Sequence, residues 1–257
     1  MIIVTLTTDW QDGDYNIGRL KACIVSCCEN VRIIDITHNI KVYNTLQAAF
    51  VLKNTYRHFP CGSIHVVGVN SEPSPKNHIA VMKNDNHFFV GANDGLLSLI
   101  CEKQPDSIVE LPYTDTYRSF RLLELLGDCI KSISNGIELE KFGNPCQLES
   151  AITGNPSCYE SRITGRIIYI DAFGNAITNI DRKIFEKICK NRKFEIVVQN
   201  NMIKITKLSQ YYDDVDQGKM LALFNSVDLL ELAINHGNIA RINSLDTNSS
   251  IIINFIN

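Results

Sequence analysis

The chain has 257 residues, 45% hydrophobic and 21% charged, with a formal net charge of -3. That apolar fraction excludes a disordered or collagen-like chain, and 25 Lys+Arg against 28 Asp+Glu leave no broad cationic face for nucleic acid. The nine cysteines form no CxxC pair, no histidine stands at zinc spacing, and no apolar run approaches the ~18 residues of a membrane span. A cytoplasmic protein with reduced thiols is expected, with no metal, no membrane and no nucleic-acid partner.

Ile2 to Leu6 is a continuous apolar and β-branched run, as a strand buried on both faces should be. It leads directly to Asp9 with no basic segment before it, which is unlike a signal peptide. Ile17, Leu20, Ile24, Val25 and Cys28 fall on one helical face, with Asp14 as N-cap. Val31–Thr37 predicts a second strand, and a helix from about Asn44 to His58 is stopped by Pro60. Ser63–Val69 is a third strand, followed by a hairpin of Ile79–Met82 and His87–Gly91 around Asn84-Asp85-Asn86. Strand–helix–strand–helix–strand implies a parallel sheet with right-handed crossovers. After a helix near Leu122–Ile133, turn signals from Gly136 to Gly165 mark a boundary. We therefore expect an N-terminal Rossmann-like domain over 1–150 and a smaller β-barrel-like domain over 151–257. The second half reads as strands at Arg166–Asp171, Phe194–Gln199, Met202–Lys207, Leu221–Phe224, Leu230–Ile234 and Ile251–Ile256, with a hairpin at Asn200-Asn201.

Ligands in open α/β sheets bind at the carboxyl edge of the strands, where Asp9, Asp12 and Asp14 stand. Asp9 lies too far ahead of the helix to cap it, and suits ribose hydroxyls or a positively charged ligand. The Thr37-His38-Asn39 and Asn70-Ser71-Glu72-Pro73-Ser74-Pro75 loops leave the same edge. Asn93-Asp94-Gly95 reads as a turn and cap. Asp171-Ala172-Phe173-Gly174-Asn175 is a polar break between strands, where an aromatic beside an amide can stack on and hydrogen-bond a purine, or simply make a turn. Neither dinucleotide nor triphosphate fingerprints occur, and no G-x-S-x-G elbow marks a serine nucleophile.

In order along the chain, Thr8-Asp9 with Asp14, Ile36-Thr37-His38, Phe89-Val90-Gly91, Asn93-Asp94-Gly95-Leu96-Leu97, Phe173-Gly174-Asn175, Thr178-Asn179-Ile180, Ser226 and Glu231-Leu232-Ala233 resemble one family. It is the S-adenosyl-L-methionine hydroxide adenosyltransferases, relatives of the fluorinases and chlorinases. The resemblance implies a homotrimer whose S-adenosylmethionine sites lie between subunits, with the ligand as substrate and no cofactor. By position it implies that Asp9 binds the ribose, Phe173 and Asn175 the adenine, and Asp171 and Ser226 the methionine end. Family hydrolases activate water with an Asp, an Arg and a His. Here those positions fall on Asn70, Lys76 and Arg121.

Asn70 accepts a hydrogen bond from water but does not take its proton near pH 7, and Arg121 is no base either. Glu72 is a candidate replacement base, with His78 and Asp115 as further ones. The expected function is hydrolysis of S-adenosylmethionine to adenosine and methionine. The alternatives are a binding protein that keeps the adenosyl pocket without turnover, and a halogenase.

Overall fold

A computed structural model of the chain describes residues 1–101, 103–112, 122–151, 154–198, 203–247 and 249–256. The chain divides into two compact units, Met1–Ile152 and Thr153–Asn257.

The N-terminal unit opens with β1 (Ile2–Thr8), α1 (Tyr15–Cys27), β2 (Val31–Thr37), α2 (Thr45–Lys53) and β3 (Ile64–Gly68). Asp14 caps α1 as expected, its Oδ1 accepting from Asn16 N at 2.7 Å. The second helix ends well before Pro60. Asn54 Nδ2 and Thr55 Oγ1 donate back to the carbonyls of Phe50 and Val51, each at 2.8 Å, and a 3₁₀ turn follows over Tyr56–His58. Side chains that compete for last-turn carbonyls end a helix without proline. Next come β4 (Ile79–Asn84), β5 (His87–Ala92), α3 (Leu96–Ile100), β6 (Ser107–Glu110), α4 (Leu122–Ser134) and β7 (Asn144–Pro145).

The strand order is β2-β1-β3-β5-β4-β6-β7. The run β2-β1-β3-β5 is parallel, and β4, β6 and β7 complete the sheet antiparallel. Alternate residues feed two cores. Val4, Leu6, Val66 and Val90 meet Leu20 and Ile24 of α1 and Leu126 and Ile130 of α4. Val67, Met82 and Phe89 meet Ala48 and Leu52 of α2 and Leu97 and Ile100 of α3. Burial on both faces is what the unbroken Ile2–Leu6 run required, at roughly 1.5–3 kcal/mol per fully buried aliphatic side chain.

The C-terminal unit contains β8 (Ser157–Tyr159), β9 (Arg162–Ile170), β10 (Ala176–Asp181), α5 (Arg182–Cys189), β11 (Lys193–Val198), β12 (Ile203–Ile205), β13 (Met220–Phe224), β14 (Leu229–Ile234), α6 (Ile239–Ile242) and β15 (Ser250–Ile256). Its antiparallel sheet runs β12-β11-β15-β9-β10-β14-β13, and a bridge from Leu208 to Ala222 nearly closes it into a barrel. Val198 pairs with Ile203, while the Asn200-Asn201 turn lies outside the described residues. Helix α5 was not expected from the sequence. Asp181 Oδ1 accepts from Ile184 N at 2.7 Å, and Phe185 and Cys189, one turn apart, are buried in the barrel core. Among the described residues, no helix is long and apolar enough to cross a membrane. All nine cysteines are free thiols.

Candidate active site

Strands β1, β3 and β5 are neighbours and parallel, so the residues that leave their carboxyl ends are neighbours too. Asp9 follows β1, Asn70 lies just beyond β3, and Asp94 just beyond β5. Asp9 is buried, and its Oδ2 accepts from the backbone N of Tyr43 at 2.9 Å. Tyr43 holds φ at 61°, a left-handed conformation that a bulky side chain adopts at a cost. One carboxylate oxygen of Asp9 is thus tied to the loop before α2, and among the described residues no hydrogen bond holds the other. Asp9, Trp10, Val42, Tyr43, Asn70 and Glu72 line a cleft of about 440 Å³.

The structure therefore brings together three of the predicted site residues, Asp9, Asn70 and Glu72. It places Lys76 elsewhere. Lys76 lines a second cleft of about 510 Å³ with His78, Asn93, Asp94 and Glu110. His78 Nδ1 stands 2.6 Å from Glu110 Oε1, so this candidate base already faces a carboxylate. Arg121 and Asp115 lie outside the described residues.

The two clefts share a wall. Asn70 Nδ2 donates to Asp94 Oδ2 at 2.8 Å, and only the amide NH₂ can donate to a carboxylate, which fixes the orientation of the Asn70 side chain. Asn70 itself has φ 48°, a conformation that asparagine tolerates better than most residues. Asn77 Nδ2 donates to the backbone oxygens of Asn70 and Glu72 at 2.6 and 2.9 Å, holding the loop closed.

Away from this edge, Thr5 Oγ1, His65 and His87 form a buried chain, 2.8 Å from Thr5 Oγ1 to His65 Nδ1 and 3.1 Å from His65 Nε2 to His87 Nδ1. Burial holds both imidazoles below their ordinary range, His65 down to about 3. Both are neutral at pH 7 and serve the core.

In the C-terminal unit the Asp171–Asn175 break is a tight turn. Asp171 Oδ1 accepts from Phe173 N and Asn175 N at 2.9 and 2.8 Å, and Oδ2 accepts from Asn175 Nδ2 at 3.0 Å. Phe173 is 77% exposed although it is a large apolar ring. Asn175 is buried, with one amide N–H donated to Asp171 and, among the described residues, no donor to its side-chain oxygen. Ser226 lies in a different turn. That turn precedes Leu229, the partner of Asp181, so Ser226 flanks the end of β10 opposite to the Phe173 turn.

Glu231 enters the sequence reading only as part of the matched Glu231-Leu232-Ala233 segment, with no role assigned to it. Glu231 is buried, accepting from Tyr212 Oη at 2.6 Å and Asn225 Nδ2 at 3.3 Å. Its neighbours Leu230 and Leu232 face the barrel core, so Glu231 faces outward beneath Tyr212. Burial, and then the Glu231 carboxylate, push the Tyr212 phenol far above its ordinary range. A charge inside an otherwise apolar strand, Leu-Leu-Glu-Leu-Ala, was the available signal.

Residues 4–143 match the SAM hydroxide adenosyltransferase N-terminal domain, and residues 165–252 match the C-terminal domain. The chain is 26% identical to an (R)-S-adenosyl-L-methionine hydrolase of Methanocaldococcus jannaschii, over 95% of this chain and 92% of that one. It is 20% identical to a fluorinase of Actinopolyspora mzabensis, over 93% and 92%. In fold it is similar to the crystal structure of an uncharacterized conserved protein from Thermotoga maritima, with TM-score 0.85, 25% identity, and 98% and 99% of the two chains covered. One matched segment carries Asp9, Asn70 and Asp94, the other carries the Phe173 turn and Glu231, and with most of its length matched the chain belongs to the SAM hydroxide adenosyltransferase family.

Proposed function

We propose that the protein hydrolyses S-adenosylmethionine to adenosine and methionine. The observation that carries this reading is the buried Asp9 carboxylate, pinned on one oxygen by Tyr43 N and opening with the other into a cleft beside Asn70 and Glu72. A fixed carboxylate at the edge of parallel strands suits two vicinal hydroxyls of a ribose. The relatives named as (R)-S-adenosyl-L-methionine hydrolases support the same chemistry. In the reaction a water oxygen bonds to the ribose 5′ carbon, the C5′–S bond breaks, and its electron pair leaves with sulfur as the neutral thioether of methionine. The water proton must go to a base. The leaving group needs no acid.

In this reading Phe173 offers its exposed ring to the adenine, Asn175 its carbonyl oxygen, and Asp171 holds the turn that positions both. Ser226, and the trimer that would place these groups beside Asp9 of a neighbouring subunit, belong to the same proposal. Light scattering at micromolar protein should give three times the chain mass; a monomer that turns over substrate would remove the shared site.

Asp9→Asn separates binding from folding. The amide carbonyl still accepts from Tyr43 N, but the charge is gone. Affinity for S-adenosylmethionine, measured by calorimetry with each sulfonium epimer, is expected to fall by roughly 1.5–3 kcal/mol, the range for hydrogen bonds to a charged group. The melting temperature without ligand should stay within about 2 °C. Unchanged affinity would show that Asp9 serves the loop alone.

A further inference from the structure

The geometry points to Asp94 as the general base that takes the proton of the attacking water, in place of the aspartate that Asn70 has replaced. This rests on the hydrolase reading above. The Asp94 carboxylate is hydrogen-bonded through Oδ2 to Asn70 Nδ2 at 2.8 Å, so a carboxylate lies one hydrogen bond from the side chain at the family's base position. The acid has moved across the contact from the end of β3 to the end of β5. Asn70 lines the Asp9 cleft and the exposed Asp94 lines the adjoining one, so a water beside their shared hydrogen bond is accessible from solvent.

The oxygens of Asp94 are not exhausted. Oδ1 accepts from Leu96 N at 3.2 Å and Oδ2 from Asn70, and each carboxylate oxygen has two acceptor sites. Water can therefore donate to Asp94 while Asn70 holds the carboxylate in place. As the oxygen attacks the 5′ carbon, the proton passes to Asp94 and then to bulk water, and methionine departs with the sulfur electron pair.

Two variants and their combination test this by single-turnover adenosine formation. In Asp94→Asn the amide oxygen still caps Leu96 N, so folding and affinity should be kept, while the turnover rate falls about a hundredfold or more, within the range of general-base catalysis. Adding Asn70→Asp returns one carboxylate to the pair with its hydrogen bond reversed, and should recover activity to within about tenfold of wild type, with an acidic limb in its pH–rate profile. An Asp94→Asn rate within threefold of wild type overturns the proposal, as does a hundredfold loss confined to Glu72→Gln. A loss in Asp94→Asn that the second change does not recover also overturns it, since Asp94 would then act only through the loop. A wild-type protein that binds S-adenosylmethionine yet releases no adenosine overturns the hydrolase reading itself; wild-type turnover matched by Asp94→Asn overturns this assignment alone.

Discussion

Lowering the pH from about 6.5 to about 4.5 is expected to destabilise the N-terminal unit by about 2 kcal/mol through His65 alone. A histidine in the unfolded chain takes up its proton near pH 6.5, whereas burial holds folded His65 down to about 3. Across that window the unfolded state binds more protons, so stability is fully present above about 6.5 and declines as pH falls, by about 1.4 kcal/mol per pH unit. His87 is depressed by burial too, and adds in the same direction. Once both imidazoles are protonated, two N–H groups face each other across the 3.1 Å between His65 Nε2 and His87 Nδ1, so the second protonation costs more than the first. Trp10, the only tryptophan, packs against the N-terminal core, so its fluorescence follows this unit. Denaturant titrations read by Trp10 should show the loss. In His65→Phe the slope against pH should shrink by about one proton, whatever the variant's absolute stability. An unchanged slope would show that other groups dominate.

Gly174→Ala is expected to destabilise the C-terminal unit by about 2–3 kcal/mol. Gly174 holds φ at 83°, and a Cβ there would overlap the Asn238 side chain. Asn238 cannot swing away freely, because its Oδ1 accepts from Arg241 N at 2.7 Å and caps α6. Gly174 also bonds through its backbone to Asp171 O and Ala240 N, so the strain falls on the turn that presents Phe173 and Asn175. Gly218→Ala is the control, with φ 80° but nothing within 4 Å of an added Cβ. It should cost only about 1 kcal/mol. Melting followed by circular dichroism, with hydrogen exchange of the β9 and β10 amides to locate the loss, separates the two terms. Equal effects would mean that the backbone conformation, and not the Asn238 contact, governs the turn.

The parallel sheet was legible because Ile2–Leu6 announces a strand buried on both faces, and Val31–Thr37 and Ser63–Val69 follow as strands separated from it and from each other by helices. That in turn made the Asp9 and Asn70 edge legible, since parallel neighbours place their carboxyl ends side by side. Asp94 was read only as a turn and cap. Asn-Asp-Gly has that meaning locally, and its bond to Asn70 arises only because β5 inserts beside β3, ahead of its hairpin partner β4. Tyr43 carried no sequence signal, as its contact with Asp9 uses the backbone of a strained residue. Helix α5 was hidden by the expectation of continuous strands, although Asp181 with Ile184, Phe185, Ile188 and Cys189 has a cap and helical spacing. Lys76 separates from Asn70 because the Asn77 bonds fold their shared loop so that its two ends line different clefts.

The most direct test is to incubate the pure protein with S-adenosylmethionine in ¹⁸O-labelled water and to analyse the nucleoside by mass spectrometry. The hydrolase reading predicts adenosine that carries one ¹⁸O at its 5′ hydroxyl, formed with an equal amount of methionine and in proportion to protein. Ligand bound and recovered intact, with no adenosine above the buffer rate, would show a binding protein, and a 5′-halogenated nucleoside formed when halide is added would show a halogenase.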